Sequence, residues 1–383
     1  MDYGYGYRGS NNLLRLPYLR LLFSGPLVPM FFILSGYILS KKPLHLSGSA
    51  IVPWEGLTTS LAGSTFRRGL RLFLPPTFST FGVMLLVRFG LFSFPYETMP
   101  GRIPDHPDFL DSTARQLWDW VKFVVTEMTN PWTWTSGHLI YGPHLWTIPI
   151  SFQGSLVTYL TCLALLRVKA SVRLMLIALV ILHAIILGRI YMSLFFGGML
   201  LSGIEVYQST SSHLAYIATY TTRLNTPSRF WTFLLLVCGG YIGSFPRDNH
   251  HGQCVSGYQT ICEISTDYHP WHALGAFLIF SAIWRETQVQ SYLEAPLLQY
   301  FGKISFSLYI IHEPLLHVFG FFTVQFIWNF TGKETILQYQ AGLILAMAVN
   351  FFVLVWLADL FWRHIEGFCA RIASLVERSA FAV

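Results

Sequence analysis

Nothing limits this chain more than a series of long apolar runs. They lie at roughly 21–40, 72–94, 145–166, 173–188, 190–207, 230–246, 269–284, 297–322 and 337–362, and a helix crosses a hydrocarbon core in about 17–25 residues. Inside lipid every backbone polar group must be satisfied within the segment or its bundle, so runs of this kind fold as helices. The expected fold is therefore an all-α, polytopic transmembrane helix bundle of about nine spans, forming one membrane domain over residues 1–383. Composition agrees: 53% of residues are hydrophobic and 11% charged, whereas a soluble domain carries about 25% charged residues. Pro26, Pro29, Pro75, Pro76 and Pro149 interrupt the runs, which a bundle tolerates because neighbouring helices take up the freed backbone groups.

The formal charge of +6 is spread singly and in short clusters between apolar runs, which speaks against nucleic acid as a partner and for membrane lipids. If the segment after the first span is cytoplasmic, that side holds 14 Lys and Arg and the other 9, the sign that the positive-inside rule requires. The same alternation makes 95–143 a lumenal segment, with an amphipathic helix over 110–128, and 363–383 a cytoplasmic tail. It also puts the sequon Asn329-Phe330-Thr331 in a lumenal loop, where Asn329 is a candidate for N-glycosylation. An endomembrane or plasma-membrane location follows. The N-terminal MDYGYGYRGSNN has neither an apolar core nor a cleavage site of a signal peptide.

Several residues carry more chemistry than a span needs. His144-Leu145-Trp146-Thr147-Ile148-Pro149 opens the third span. Arg67, Arg68 and Arg71 cluster before Pro75, expected at a cytoplasmic helix end; such guanidinium groups either bind phosphates by forked hydrogen bonds or serve as an ordinary positive-inside anchor. The run Gly302-Lys303-Ile304-Ser305-Phe306-Ser307-Leu308-Tyr309-Ile310-Ile311-His312-Glu313-Pro314 sets ionisable groups within an apolar segment, at a cost that only pairing or a wet cavity relieves. His312 there suits a general base, and an interhelical packing histidine is the alternative. His183, alone in its apolar span, reads as a packing residue.

Taken in order, Phe31 to Ser40 (FFILSGYILS), Arg68 to Pro75, His144 to Pro149 and Gly302 to His312 resemble the acyltransferase 3 family of multi-span membrane O-acyltransferases, in particular its fungal branch. The resemblance implies transfer of an acyl group, often acetyl, from an acyl-CoA to a hydroxyl of a small metabolite, sugar or lipid, with a use in secondary metabolism. It implies that Arg67, Arg68 and Arg71 hold the donor phosphates, that His312 and His144 are the imidazoles of the reaction, and that Trp146, Tyr309 and Ser35 shape the pocket. The family usually begins with one more helix, bearing an arginine and a histidine regarded as its base, and this chain starts after it. Ser151 and Gln153 stand where the family commonly has glutamate and arginine.

His250, His251, Cys254, Cys262, His269 and His272 share one loop region, but their spacing fits no standard zinc pair, so no metal is expected; Cys254 and Cys262 form either a disulfide or free thiols. The competing functions are a transporter or flippase, for which no internal repeat is evident, and a catalytically silent scaffold.

Overall fold

The computed structural model describes residues 16–22, 25–47, 54–92, 106–130, 139–218, 229–247 and 257–380. Among them every regular element is helical. Of the residues singled out above, His250, His251 and Cys254 lie outside the described residues.

The chain divides into two compact units. The first takes residues up to Leu61 together with Gln153–Glu294. It contains α1 (Leu27–Ser47), most of α4 (Thr147–Ala164), α5 (Ala170–Ile186), α6 (Ile190–Ala218), α7 (Arg229–Gly243), the short α8 (Gln259–Ile264), α9 (Tyr268–Arg285) and α10 (Thr287–Leu293). Two close helix crossings organise it. A Cβ on Gly36 of α1 would lie 2.0 Å from the Phe195 carbonyl oxygen of α6, and one on Gly198 of α6 would lie 1.9 Å from that of Ile33. Gly239 and Gly243 of α7 face Gly275 of α9 in the same manner. Between helices in lipid, where there is no hydrophobic drive to associate, small residues create the contact by letting backbones approach. Gly188, at φ +68°, provides the left-handed turn between α5 and α6.

Along the first crossing, Lys41 donates to Glu205 at 3.0 Å and to the Tyr37 hydroxyl at 3.0 Å, and Tyr37 donates to the same carboxylate. Tyr37, Lys41 and Glu205 thus form one half-exposed polar cluster that ties α1 to α6.

The second unit comprises Ala62–Phe152 and Ala295–Val383. It holds most of the long α2 (Trp54–Arg88), α3 (Thr113–Phe123), the start of α4, α11 (Pro296–Leu315), α12 (Phe321–Thr331), α13 (Ile336–Phe361) and α14 (Gly367–Ala380). A π-helical turn at Leu316–Gly320 joins α11 to α12 without a break, and another at Trp362–Glu366 joins α13 to α14. Thr335 caps α13 reciprocally with Gln338. Leu72, Met84, Phe92, Phe123, Leu145 and Ile310 are central to the buried core, while Leu337, Ile344, Phe352 and Trp356 give α13 an exposed apolar face suited to lipid.

Each predicted apolar run is occupied mainly by helix over its described residues. Five stretches among the described residues are long and apolar enough to cross a membrane: Leu27–Leu46, Leu61–Arg88, Ile190–Gln208, Pro296–Thr331 and Ile336–Ala380; α5 and α7 are apolar but shorter.

Helix ends differ from the sequence expectation, with consequences for the site residues. α2 starts at Trp54, so Arg67, Arg68 and Arg71 occupy its interior rather than its end. α12 continues to Thr331, which puts Asn329 in its last turn, exposed, instead of in a loop. Both differences have one cause: hydropathy marks the stretch that lipid needs, whereas the hydrogen-bond ladder runs on until a stop, here Gly332 at φ +75°. His183 is exposed on α5 rather than packed. The expected amphipathic helix exists as α3 and its π-helical extension to Met128, burying Gln116, Phe123 and Met128 while exposing Trp118.

Candidate active site

The site is built where the turn before α4 meets α11. Pro143–Trp146 forms a single 3-10 turn after Gly142, and its His144 reaches Glu313 of α11. The Glu313 carboxylate accepts both the His144 backbone N–H, at 3.0 Å, and a hydrogen bond shared with the ring Nδ1. His144 Nε2 donates to the Ile310 carbonyl at 3.0 Å, which leaves Nδ1 to share one proton with the carboxyl group. Exposure is low on both sides, 10% for the His144 side chain and 21% for Glu313.

Tyr309 lies one turn before Glu313 on the same helix. Its hydroxyl donates to the His144 carbonyl and takes the Thr147 hydroxyl at 2.6 Å. Tyr309→Phe removes the partner of both groups, and unpaired buried polar atoms cost about 1–3 kcal/mol each. The expected outcome is a measurably lower thermal midpoint in detergent without loss of the fold.

His312 stands against this pair. Its ring centroid is 4.7 Å from that of His144, edge to face. His312 Nδ1 donates to the Tyr309 carbonyl at 2.7 Å, so the neutral ring carries its lone pair on Nε2. The two imidazoles are therefore not equivalent. His144 has both nitrogens engaged, and His312 has the tautomer that a proton acceptor needs.

Beyond Glu313, the helix passes Pro314 to His317, which is 4% exposed, donates to the Glu313 carbonyl at 2.9 Å and stacks on Phe92 at 5.1 Å. A small cleft reaches Glu313 between Val83, Phe92, Pro107, Tyr141 and His317. Tyr141 forms its polar rim, accepting from Gln116 at 2.9 Å and donating to Asp119 at 2.8 Å. Burial pushes the Tyr141 phenol well above its ordinary range; the Asp119 carboxylate adds to this and the Gln116 amide opposes it. Gln116 is fully buried, with further bonds to the Asp108 carbonyl and the Leu110 N–H. It pins α3 to the strand of chain that leads into the His144 turn.

The other predicted residues are placed as follows. Trp146 is half-buried on the same turn as His144. Ser35 belongs to the first unit, where it is buried on α1. Arg67 forms an ion pair with Glu377 of α14, and Arg71 acts electrostatically on Glu366; Arg71 itself is exposed. Ser151 is buried and donates back to the Thr147 carbonyl at 2.7 Å. In the first unit, Cys262 is disulfide-bonded, and His272 is buried with Nε2 on the Phe245 carbonyl at 2.8 Å. His269 bonds Asp267 at 2.6 Å. No group of three or more metal-ligating side chains occurs among the described residues. Sequence reasoning gave no role to Glu313, Thr147 or His317. The signal available for Glu313 was the same as for His312, an ionisable group in an apolar run.

A family model described as an acyltransferase domain matches residues 1–357. The chain belongs to the acyltransferase 3 family. It is similar to the O-acetyltransferase PaAT-1 of Phomopsis amygdali, at 27% identity over 93% of this chain and 75% of that protein. It is also similar to the acyltransferase clz18 of Cochliobolus lunatus, at 25% identity over 96% and 84%. A third relative, an acyltransferase of a Phoma species, is 25% identical over 92% of this chain and 81% of its own. No solved structure matches the chain. For this acyltransferase 3 member, the His144, Tyr309, His312 and Glu313 cluster joins two of the motifs that carried the resemblance.

Proposed function

We propose that this protein is a membrane-bound O-acyltransferase that moves an acyl group, acetyl in the simplest case, from a coenzyme A thioester to a hydroxyl of a small metabolite, sugar or lipid. The observation that carries the reading is the tautomer of His312, held by the Tyr309 carbonyl with Nε2 as acceptor. In the reaction the acceptor O–H gives its proton to Nε2 as the oxygen attacks the thioester carbonyl. The C–S bond then breaks, and the departing thiolate takes the proton back from the imidazolium, so the ring ends as it began. The apolar surroundings exclude water, which would otherwise hydrolyse the thioester. The reading extends to a use in secondary metabolism and to an endomembrane or plasma-membrane location.

Arg71, which is exposed, is the better donor ligand than Arg67, which Glu377 already engages. Hydrogen bonds to charged groups are worth about 1.5–3 kcal/mol. Arg71→Gln is therefore expected to raise the KM for the donor about tenfold or more with a smaller change in kcat, and Arg67→Gln to do less. The test of the function is transfer of label from acetyl-CoA by membranes expressing the chain, offered a panel of hydroxylated metabolites, sugars and lipids. Labelled ester above that of membranes lacking the chain supports the reading. Its absence across the panel, with folded protein present, counts against it and for a silent scaffold.

A further inference from the structure

The run His312-Glu313-Pro314 does three different things to one distant residue. An interior α-helical carbonyl is ordinarily taken by the N–H four residues on. For Ile310 that residue is Pro314, which has none. The open Ile310 carbonyl is the one that His144 Nε2 fills. Next to it, a single oxygen of Glu313 takes both the backbone N–H and the ring Nδ1 of His144. Two acceptors from α11 thus hold His144 at three atoms, and the ring so held lies edge to face on His312. A carboxylate in an apolar helix beside a proline is a costly way to pack. A leucine would fill the space, whereas only an acceptor with this reach sets both the position and the rotation of the His144 ring.

We propose that Glu313 is a positioning residue: with the carbonyl exposed by Pro314, it fixes His144 and thereby the orientation of the His312 ring toward the acceptor hydroxyl. The proposal rests on the acyl-transfer reading for its consequence, but not for its geometry. Glu313 does not touch the reacting atoms. It acts through His144, which is a wall for His312 rather than a second base, since both its nitrogens are engaged.

The test uses the full chain, purified in detergent with 15N-labelled histidine, as wild type, Glu313→Gln, His144→Asn and the double variant. Glutamine keeps an oxygen for the backbone N–H but cannot share the ring proton. Expected is a displaced His144 ring resonance in Glu313→Gln, assigned by its loss in His144→Asn, and a kcat lower by about 10- to 100-fold with KM for the donor within twofold. The double variant should be no slower than the slower single one, because both changes break one interaction. Glu286→Gln, at the half-buried N-cap of α10 in the other unit, serves as the unchanged control. An unmoved His144 resonance, or losses in kcat that multiply in the double variant, would overturn the proposal. If wild type transfers no label, the acyl-transfer reading fails on that arm alone. The positioning claim is then decided by the resonance and by whether the thermal-midpoint losses of the two single variants fail to add.

Discussion

His312→Ala should reduce acyl transfer by about 10²- to 10⁴-fold, the contribution of a positioned general base, while leaving the amount of folded protein unchanged. The ring's hydrogen bond is to the Tyr309 carbonyl in its own helix, so its removal takes away chemistry more than structure. His144→Ala makes the contrast. It strands the Glu313 carboxylate and the Ile310 carbonyl, and should lower both rate and thermal midpoint. Initial rates normalised to monodisperse protein separate the two cases. A His312→Ala enzyme retaining more than about a tenth of the wild-type rate would fall outside the general-base range and remove this residue from the role, with family membership untouched.

Gly198→Leu is expected to abolish the folded first unit. A side chain there begins 1.9 Å from the Ile33 carbonyl oxygen and 2.6 Å from the Tyr37 nitrogen. Neither is a flexible side chain that can move aside, so α1 and α6 must separate. That would part the half-exposed Lys41 and Glu205 as well. Even Gly198→Ala should shift the thermal midpoint strongly downward. Gly302→Ala is the control: nothing lies within 4 Å of its Cβ, and a helix-interior Gly-to-Ala change adds about 0.5–1 kcal/mol of stability. Size-exclusion profiles and melting curves of the three variants decide the matter. A Gly198→Ala protein as stable as wild type would refute the crossing.

The parts of this protein that lipid dictates were legible in its sequence, and the parts that distant partners dictate were not. Apolar runs located the helices because hydrocarbon permits little else. Their ends escaped, since Arg67 and Asn329 sit on helical ladders that extend past the apolar stretch. His312 stood out as an ionisable group among apolar neighbours, and its role depends on a carbonyl only three residues away. Glu313 was equally visible but mute, because its partner is 169 residues distant. The same holds for Arg67, whose tie to Glu377 spans 310 residues; a cluster of arginines read alone cannot reveal which of them already has a carboxylate.

The unbroken helical run from Ile336 to Ala380 acts as a ruler for negative charge. It carries Asp359, bonded to Tyr300 and Arg363, then Glu366, bonded to Ser307, then Glu377, bonded to Arg67. At 1.5 Å per residue the three carboxylates are spaced about 10 and 16 Å apart along one rod. All three lie beyond residue 357, where the family match ends. Glu377→Gln would take this carboxylate from Arg67 without disturbing the marks at Asp359 and Glu366. The charge that α2 presents at Arg67 is thus set in part by a carboxylate 310 residues further along the chain.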